Sequence, residues 1–111
     1  MEPKLKAGLW VKAQIRRCDI EMIPIAVVRR GDADAGTIIL KLNRMDGTCD
    51  VLSQTRDMEG RPAWMRPISA EPVPETNADD YIERQVGRDP DLWVVEVEDA
   101  RGAFTPDEPI V

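Results

Sequence analysis

Two aspartates spaced as Asp-x-Asp, Asp32 and Asp34, lie in the glycine-bearing string RRGDADAG of this 111-residue sequence. Carboxylate oxygens at that spacing could bind a divalent cation. The string lacks the further acidic ligands and the distant glutamate of a calcium loop, so a turn that simply favours Asp and Gly is the better interpretation. We therefore predict no bound metal and no cofactor.

Four arginines near two predicted turns could form a site for an anion. They are Arg29, Arg30, Arg56 and Arg61. If they converge at one end of a sheet, their planar guanidinium groups could hold a phosphate or a carboxylate, and Trp64 could offer a stacking surface to a base. The favoured alternative is that these arginines pair internally with some of the 21 acidic residues, such as Asp32, Asp34 or Asp57.

The absence of histidine argues against a conventional hydrolase, and a weak enzyme that uses carboxylates such as Asp32 is only a third hypothesis. The sequence contains no histidine, which removes the commonest general base and every Ser-His or Cys-His nucleophile. A metal-dependent nuclease would need an acid-x-Lys triplet on a core strand, but the residue two before Lys41 is Ile39. We predict no catalytic residue, and the sequence favours a non-enzymatic role.

Cysteine usage and charge favour a reduced, cytoplasmic location. Cys18 and Cys49 match neither a redox pair nor a zinc motif, and we predict that both are small buried apolar residues. A disulfide between them would require an oxidising compartment. Charged residues recur through Arg17, which leaves no apolar stretch long enough for a signal peptide or a membrane span. We expect a cytoplasmic protein with no membrane partner.

The charge is distributed unevenly along the chain, whose net charge is −6. The first 66 residues contain 12 basic and 9 acidic residues, and the remainder contains 3 basic and 12 acidic residues. Packing of the two segments against each other explains this better than a surface reserved for a partner, although the sequence leaves both open. The overall acidity argues against nucleic acid as a partner.

Periodicity predicts a helix, four strands, a second helix and a final strand. Apolar residues at steps of three and four predict the first helix over residues 5–23. Short apolar runs then predict a four-stranded antiparallel meander, with Gly47 and Gly60 suited to tight hairpin turns. The second helix is predicted at 78–88, with either Thr76 or Asn77 as its N-cap. The predicted strands span residues 25–30, 37–44, 48–56, 62–68 and 91–99.

Alternation in the second strand predicts a sheet with one buried side. Ile38 and Leu40 point to one face, while Ile39 and Lys41 point to the other. We predict an α+β fold of about five strands with two helices packed on one face. The final strand could join beside the first strand in either direction.

The length of the sequence suits one domain. We predict a single domain over residues 1–111, with an ordered core at about 5–99. Two further prolines after residue 100 predict a loosely ordered C-terminal tail at 100–111.

Four longer strings resemble those of a known family. They are GLWVKAQIRRC, VVRRGDADAG, VLSQTRD and RQVGRDPDLWVVEVED. They are similar to strings of a small bacterial family that is catalogued only as a domain of unknown function, and the resemblance extends from about Leu5 to Asp99. It implies a stand-alone intracellular protein and brings no catalytic or binding residue with it.

The leading functional hypothesis is a non-enzymatic interaction or regulatory module. Such a protein would recognise another protein through an edge of its sheet or through its arginine-bearing loops. The alternative is a binder of a phosphorylated small ligand or a short nucleic acid that uses the four arginines. An edge of the sheet could also pair two copies of the chain as a homodimer.

Overall fold

The computed structural model describes residues 5–111, which form two α-helices and six β-strands. The helices are α1 (Ala7–Ile20) and α2 (Glu75–Arg88). The strands are β1 (Ile25–Arg29), β2 (Ile38–Asn43), β3 (Thr48–Arg56), β4 (Pro62–Met65), β5 (Val73–Pro74) and β6 (Trp93–Glu98). The predicted α+β class is confirmed, and the two-residue strand β5 is an addition to it.

Strand β6 lies inside the sheet, between β1 and β2. The strand order is β1-β6-β2-β3-β4, with β5 paired to β3. β2, β3 and β4 form the predicted antiparallel hairpins, but β1 pairs with β6 and not with β2, so the predicted four-stranded meander is only partly correct. β6 takes the inner position because Trp93 and Val95 are buried on one face of the sheet and Val94 on the other. β1 is left at the edge.

The two helices cover opposite faces of the sheet, whereas the sequence predicts both on one face. α1 packs on the face that contains Ile38 and Leu40. α2 packs through Ala78 and Ile82 on the face that contains Ile39. The difference has a simple cause, because apolar side chains occur on both faces of β2 and β6 and each face needs a cover.

Five of the described residues adopt positive φ, and one of them is Gly102 (φ 65°) in the turn after β6. Gly47 (φ 92°) and Gly60 (φ 80°) lie in the two hairpin turns, as predicted. Met22 (φ 59°) follows α1, where the N–H of Ile23 donates to the carbonyl oxygen of Cys18 at 2.8 Å and closes the helix. This position usually holds glycine. Met45 (φ 61°) lies in the β2–β3 turn.

Helix α2 begins three residues earlier than predicted. The pair Thr76-Asn77 lies within its first turn, and Pro74 occupies the cap position without a side-chain hydrogen bond. The N–H of Glu75 instead donates to the carbonyl oxygen of Gly47 at 2.9 Å. The helix starts early because β5 leads directly into it.

The C-terminal segment packs against the domain, where the sequence predicts a loosely ordered tail. The carboxylate of Asp99 accepts hydrogen bonds from the N–H groups of Ala103 and Phe104. The Phe104 ring is buried in the α1 side of the core, and full burial of such a ring contributes about 1.5–3 kcal/mol. None of the helices within residues 5–111 has the length and apolar character required to cross a bilayer.

Candidate functional site

The two arginines at the end of β1 contact the start of β6. Arg29 donates through Nη1 to the carbonyl oxygens of Pro90, at 3.0 Å, and Leu92, at 2.6 Å. The guanidinium carbon of Arg30 lies 5.6 Å from the centroid of the Trp93 ring, a cation–π contact. These contacts tie the end of β1 to its neighbour.

The aspartates of the predicted Asp-x-Asp pair shape the loop between β1 and β2. Oδ2 of Asp32 accepts hydrogen bonds from the N–H groups of Asp34, at 3.1 Å, and Ala35, at 2.7 Å. The carbonyl oxygen of Asp32 accepts from the Trp93 indole at 2.7 Å, and Asp34 forms an exposed ion pair with Lys6 at 3.8 Å. Residues 5–111 include no group of three or more His, Cys, Asp or Glu placed to hold a metal ion.

The other two predicted arginines lie in the β3–β4 hairpin. Arg56 donates to the carbonyl oxygen of Gly60 at 2.7 Å, and Arg61 lies 3.1 Å from the carboxylate of Glu59. This hairpin is at the same end of the sheet as Arg29, but β6 and β2 separate β3 from β1. At the ordinary strand spacing the backbones of β1 and β3 lie about 14 Å apart. The contacts named above hold Arg29 and Arg30 at the start of β6, and hold Arg56 and Arg61 within their own hairpin.

A buried lysine on the α2 face holds three carboxylates. Nζ of Lys41 lies 2.7 Å from Asp79, 2.8 Å from Glu75 and 3.7 Å from Glu96. Burial alone would lower the pKa of Lys41, but hydrogen bonds to Asp79 and Glu75 and the charge of Glu96 together raise it well above its usual value. Lys41 is therefore a fixed cation, unsuited to act as a base or a nucleophile.

A second charged network lies at the opposite end of β2 from the arginine loop. Arg44 contacts Asp99 at 2.6 Å and Asp50 at 3.5 Å, and Arg66 contacts Asp50 at 3.0 Å. Within the described residues, no buried side-chain nitrogen or oxygen lacks a hydrogen-bond partner. Arg44 belongs to the basic first 66 residues, and Asp99 belongs to the acidic remainder of the chain. This ion pair is an example of the packing of the two segments against each other that the sequence favours.

Two tryptophans recognise one carboxylate of the C-terminal segment. The Trp64 indole donates to Oε1 of Glu108 at 2.9 Å, and the Trp10 indole lies 3.2 Å from each Glu108 oxygen. The two ring centroids are 5.2 Å apart. Trp64 also exchanges backbone hydrogen bonds with the segment, donating to Pro109 and accepting from Val111, each at 2.8 Å. Trp64 is only 1% exposed, so its ring is not offered to a base.

The same segment runs along α1 before it reaches β4. Arg17 donates to the carbonyl oxygen of Thr105 at 2.8 Å, and Gln14 donates to Asp107 at 2.9 Å. The segment therefore covers the outer edge of β4 at Trp64. A cavity of about 450 Å³ opens beside this contact, between the segment and the β3–β4 hairpin. This contact could not be predicted from the sequence, because no local pattern shows where the C-terminal segment runs.

Among the strands of residues 5–111, the opposite edge of the sheet is open, since β1 pairs with β6 on one side and with no described strand on the other. The N–H of Glu98 donates to the carbonyl oxygen of Pro24 at 2.9 Å, which sets the alternation of the antiparallel ladder. The N–H and C=O groups of Ile25 and Val27 therefore point away from β6, and they can bind a further strand.

The side chains along this edge are apolar and exposed. Ala26 and Val27 are exposed, and Val28, at 59% exposure, forms a bulge where the register with β6 shifts. Met22, just before β1, is 89% exposed, and Ile20 at the end of α1 is 74% exposed. We call Ile25–Val28 the open β1 edge. The sequence pattern predicts the strand at 25–30 but contains no sign that this strand lies at an edge of the sheet.

The two cysteines are buried on opposite faces of the sheet. Cys18 packs in the α1 side of the core and Cys49 in the α2 side, and both are free thiols. This confirms the prediction that they are buried apolar residues. Burial raises the pKa of both thiols, that of Cys49 to about 11.

Residues 5–105 match a family model described as "Protein of unknown function (DUF1491)". A crystal structure of a DUF1491 family protein from Caulobacter crescentus CB15 is similar at a TM-score of 0.86 and 37% identity, covering 97% of this chain and 100% of that chain. An NMR structure of a DUF1491 family protein from the same organism gives 0.82 and 36% identity, with 99% of each chain covered.

A solution structure of a protein from A. tumefaciens is similar at a TM-score of 0.71 and 26% identity over 86% of each chain. A comparison with curated proteins gave no match. The family match confirms the predicted resemblance to a family of unknown function.

Proposed function

The chain belongs to the DUF1491 family, and we propose that it is a non-enzymatic protein-interaction module that binds an extended segment of a partner protein along the open β1 edge. The single observation that carries this proposal is the outward direction of the Ile25 and Val27 backbone groups. An unpaired strand edge binds extended segments through main-chain hydrogen bonds, and neighbouring side chains then set the preference.

The contrast between the two edges of the sheet supports this proposal. Proteins usually protect edge strands by covering them, by charging them or by bulges. The β4 edge is covered at Trp64 by the C-terminal segment. Within residues 5–111, the open β1 edge has only the bulge at Val28, and Ala26 and Val27 in front of it are exposed and apolar.

The exposed methionine at the start of β1 gives further support. Met22 adopts the left-handed conformation that favours glycine, and its side chain is almost fully exposed. A long apolar side chain at such a position costs stability and gains nothing in the isolated chain. Contact with a partner would give it a role, since methionine adapts well to varied apolar surfaces.

The chemistry of the other candidate residues also favours binding over catalysis. The sequence has no histidine, and the raised pKa of Lys41 keeps it charged. The four predicted arginines belong to two pairs on separate strands, which weakens the alternative of a phosphorylated ligand or a short nucleic acid. The proposed place of action is the cytoplasm, where free thiols such as Cys18 and Cys49 remain reduced.

Two matched variants test the proposal. Val27→Pro removes an outward N–H without breaking a hydrogen bond to β6, whereas Val27→Thr keeps the N–H and the β-branched shape. Partners would be captured from native extract on the unaltered chain, identified by mass spectrometry, and then purified and re-bound. We expect Val27→Pro to lose this direct binding and Val27→Thr to keep it. A purified partner that binds folded Val27→Pro as tightly as the unaltered chain would contradict the proposal.

A further inference from the structure

Resting on the proposed function, we infer that one partner of the open β1 edge is a second copy of the chain, with the two β1 strands antiparallel and Ala26 at the two-fold axis. The sheet of each copy would then continue into the other. The inference follows from the direction of the backbone groups, the position of the bulge and the charges at the two ends of β1.

The backbone geometry selects the register. Ile25 and Val27 point their N–H and C=O groups outward, and an antiparallel pair joins such residues in hydrogen-bonded couples. Coupling Ile25 of one copy with Val27 of the other satisfies all of these groups and places the two Ala26 residues face to face. The bulge at Val28 lies outside this regular stretch, so it does not disturb the pairing.

Charge makes the edge complementary to itself. Arg29 and Arg30 lie at the C-terminal end of β1. The N-terminal end is flanked by the exposed Glu98, whose backbone pairs with Pro24, and by Glu21 at the end of α1, which is half exposed beside Arg17. Antiparallel pairing brings the basic end of each strand towards the acidic end of the other, twice by symmetry.

The same arrangement gives the exposed apolar residues a partner surface. In this register Val28 of one copy lies opposite Pro24 of the other, and Arg30 lies opposite Met22. The long apolar side chain of Met22, almost fully exposed in the single chain, would then cover the neighbouring edge. Because strand pairing buries a modest area, we expect a weak, concentration-dependent dimer.

A symmetric disulfide tests the register directly. Ala26→Cys places two thiols in a non-hydrogen-bonded pair, where the Cα atoms lie about 4.5 Å apart, close enough for a disulfide. Cys18 and Cys49 are buried and do not compete. Val28→Cys is the matched control, since Val28 is exposed but lies opposite Pro24 in this register. Under mild oxidation we expect Ala26→Cys to become covalently dimeric and Val28→Cys to remain largely monomeric. Equal cross-linking of the two variants would overturn the register.

Sedimentation equilibrium tests the dimer without cross-linking. The unaltered chain and Val27→Thr should associate as concentration rises, while Val27→Pro should associate about tenfold or more weakly, because two hydrogen bonds are lost across the axis. A chain that stays monomeric, together with an Ala26→Cys variant that does not cross-link, would overturn this inference. In that case the proposed function would still hold if a purified protein of another sequence bound the unaltered chain and Val27→Thr but did not bind Val27→Pro.

Discussion

The Nε1 atom of Trp64 lies 2.9 Å from Oε1 of Glu108, and this bond fastens the C-terminal segment to the edge of β4. The Trp10 indole donates to the same carboxylate, so one half-buried glutamate joins a helix, a strand and the tail. The contact closes one edge of the sheet and leaves the open β1 edge as the exposed one.

Removing this carboxylate should destabilise the fold. We expect Glu108→Ala to lower the free energy of unfolding by about 1–3 kcal/mol, because two indole N–H groups in a buried setting lose a charged acceptor. Glu108→Gln should cost less, since its amide oxygen can still accept. Urea denaturation measures both, with Glu83→Ala on the exposed side of α2 as the control. Equal stability of Glu108→Ala and the control would show that the tail contact contributes nothing.

Lys41 should contribute more to the free energy of unfolding than an exposed lysine does. Lys41→Met leaves the carboxylates of Glu75, Asp79 and Glu96 close together without their cation, and we expect a loss of about 2 kcal/mol in the free energy of unfolding. Lys12→Met, on the exposed face of α1, should change it by less than about 0.5 kcal/mol. Denaturant titrations compare the two, and similar values would contradict the account of Lys41 as a buried structural cation.

Because of Cys49, the stability of the protein should decrease at alkaline pH. Its pKa is raised to about 11 by burial, so the unfolded thiol releases its proton at a lower pH than the folded one. The unfolded state therefore binds fewer protons above pH 9, and stability should fall between about pH 9 and 11. Cys49→Ala removes this contribution. Its stability should fall less steeply over the same range, and an unchanged slope would argue against a buried neutral thiol.

Substitutions at the two methionines that adopt positive φ distinguish an effect on stability from an effect on association. Met22→Gly and Met45→Gly should each raise the free energy of unfolding by up to about 1 kcal/mol, because glycine adopts this conformation without strain. Only Met22 lies beside β1, so Met22→Gly should also weaken association while Met45→Gly should not. Thermal unfolding and sedimentation give the two readouts. Loss of association in both variants, or in neither, would remove Met22 from the proposed interface.

The arginines should not confer phosphate binding. Arg29 already donates to two carbonyl oxygens, and the two pairs lie on separate strands. We expect inorganic phosphate and nucleotides at millimolar concentration to leave the melting temperature unchanged beyond a matched chloride control. A stabilisation that disappears in high salt and in Arg56→Ala would instead favour the phosphorylated-ligand alternative.

Local elements of this fold were predictable from sequence, whereas their long-range arrangement was not. The β2–β3 and β3–β4 hairpins depend on Gly47 and Gly60 in turns of a few residues, and a sequence pattern contains that information. Insertion of β6 between β1 and β2 joins segments far apart in the chain. Apolar residues on both faces of WVVEV indicate a central strand. Antiparallel pairing of this strand with β1 was one of the two predicted arrangements, whereas its parallel pairing with β2 was not predicted.

The same limit applies to the candidate site. The predicted residues Arg29, Asp32 and Arg61 were chosen for chemistry that their side chains could perform. In the structure Arg29 holds the segment before β6, 61 positions along the chain, and Asp32 shapes its own loop. The open β1 edge is a property of backbone groups and of strand order. It therefore becomes visible only when the position of β6 is known.

Amide hydrogen exchange at Ile25 and Val27 tests the central claim most directly. In dilute solution both amides point to solvent, so they should exchange rapidly even though their neighbour Ala26 is protected by β6. As the concentration of the chain rises, exchange at Ile25 and Val27 should slow together, while exchange at Met58 in the β3–β4 turn should stay fast. Protection already complete in dilute monomer would contradict the open β1 edge on which the whole account rests. Rapid exchange at Ile25 and Val27 at every concentration would contradict the pairing of two copies and would leave binding of another protein at this edge standing.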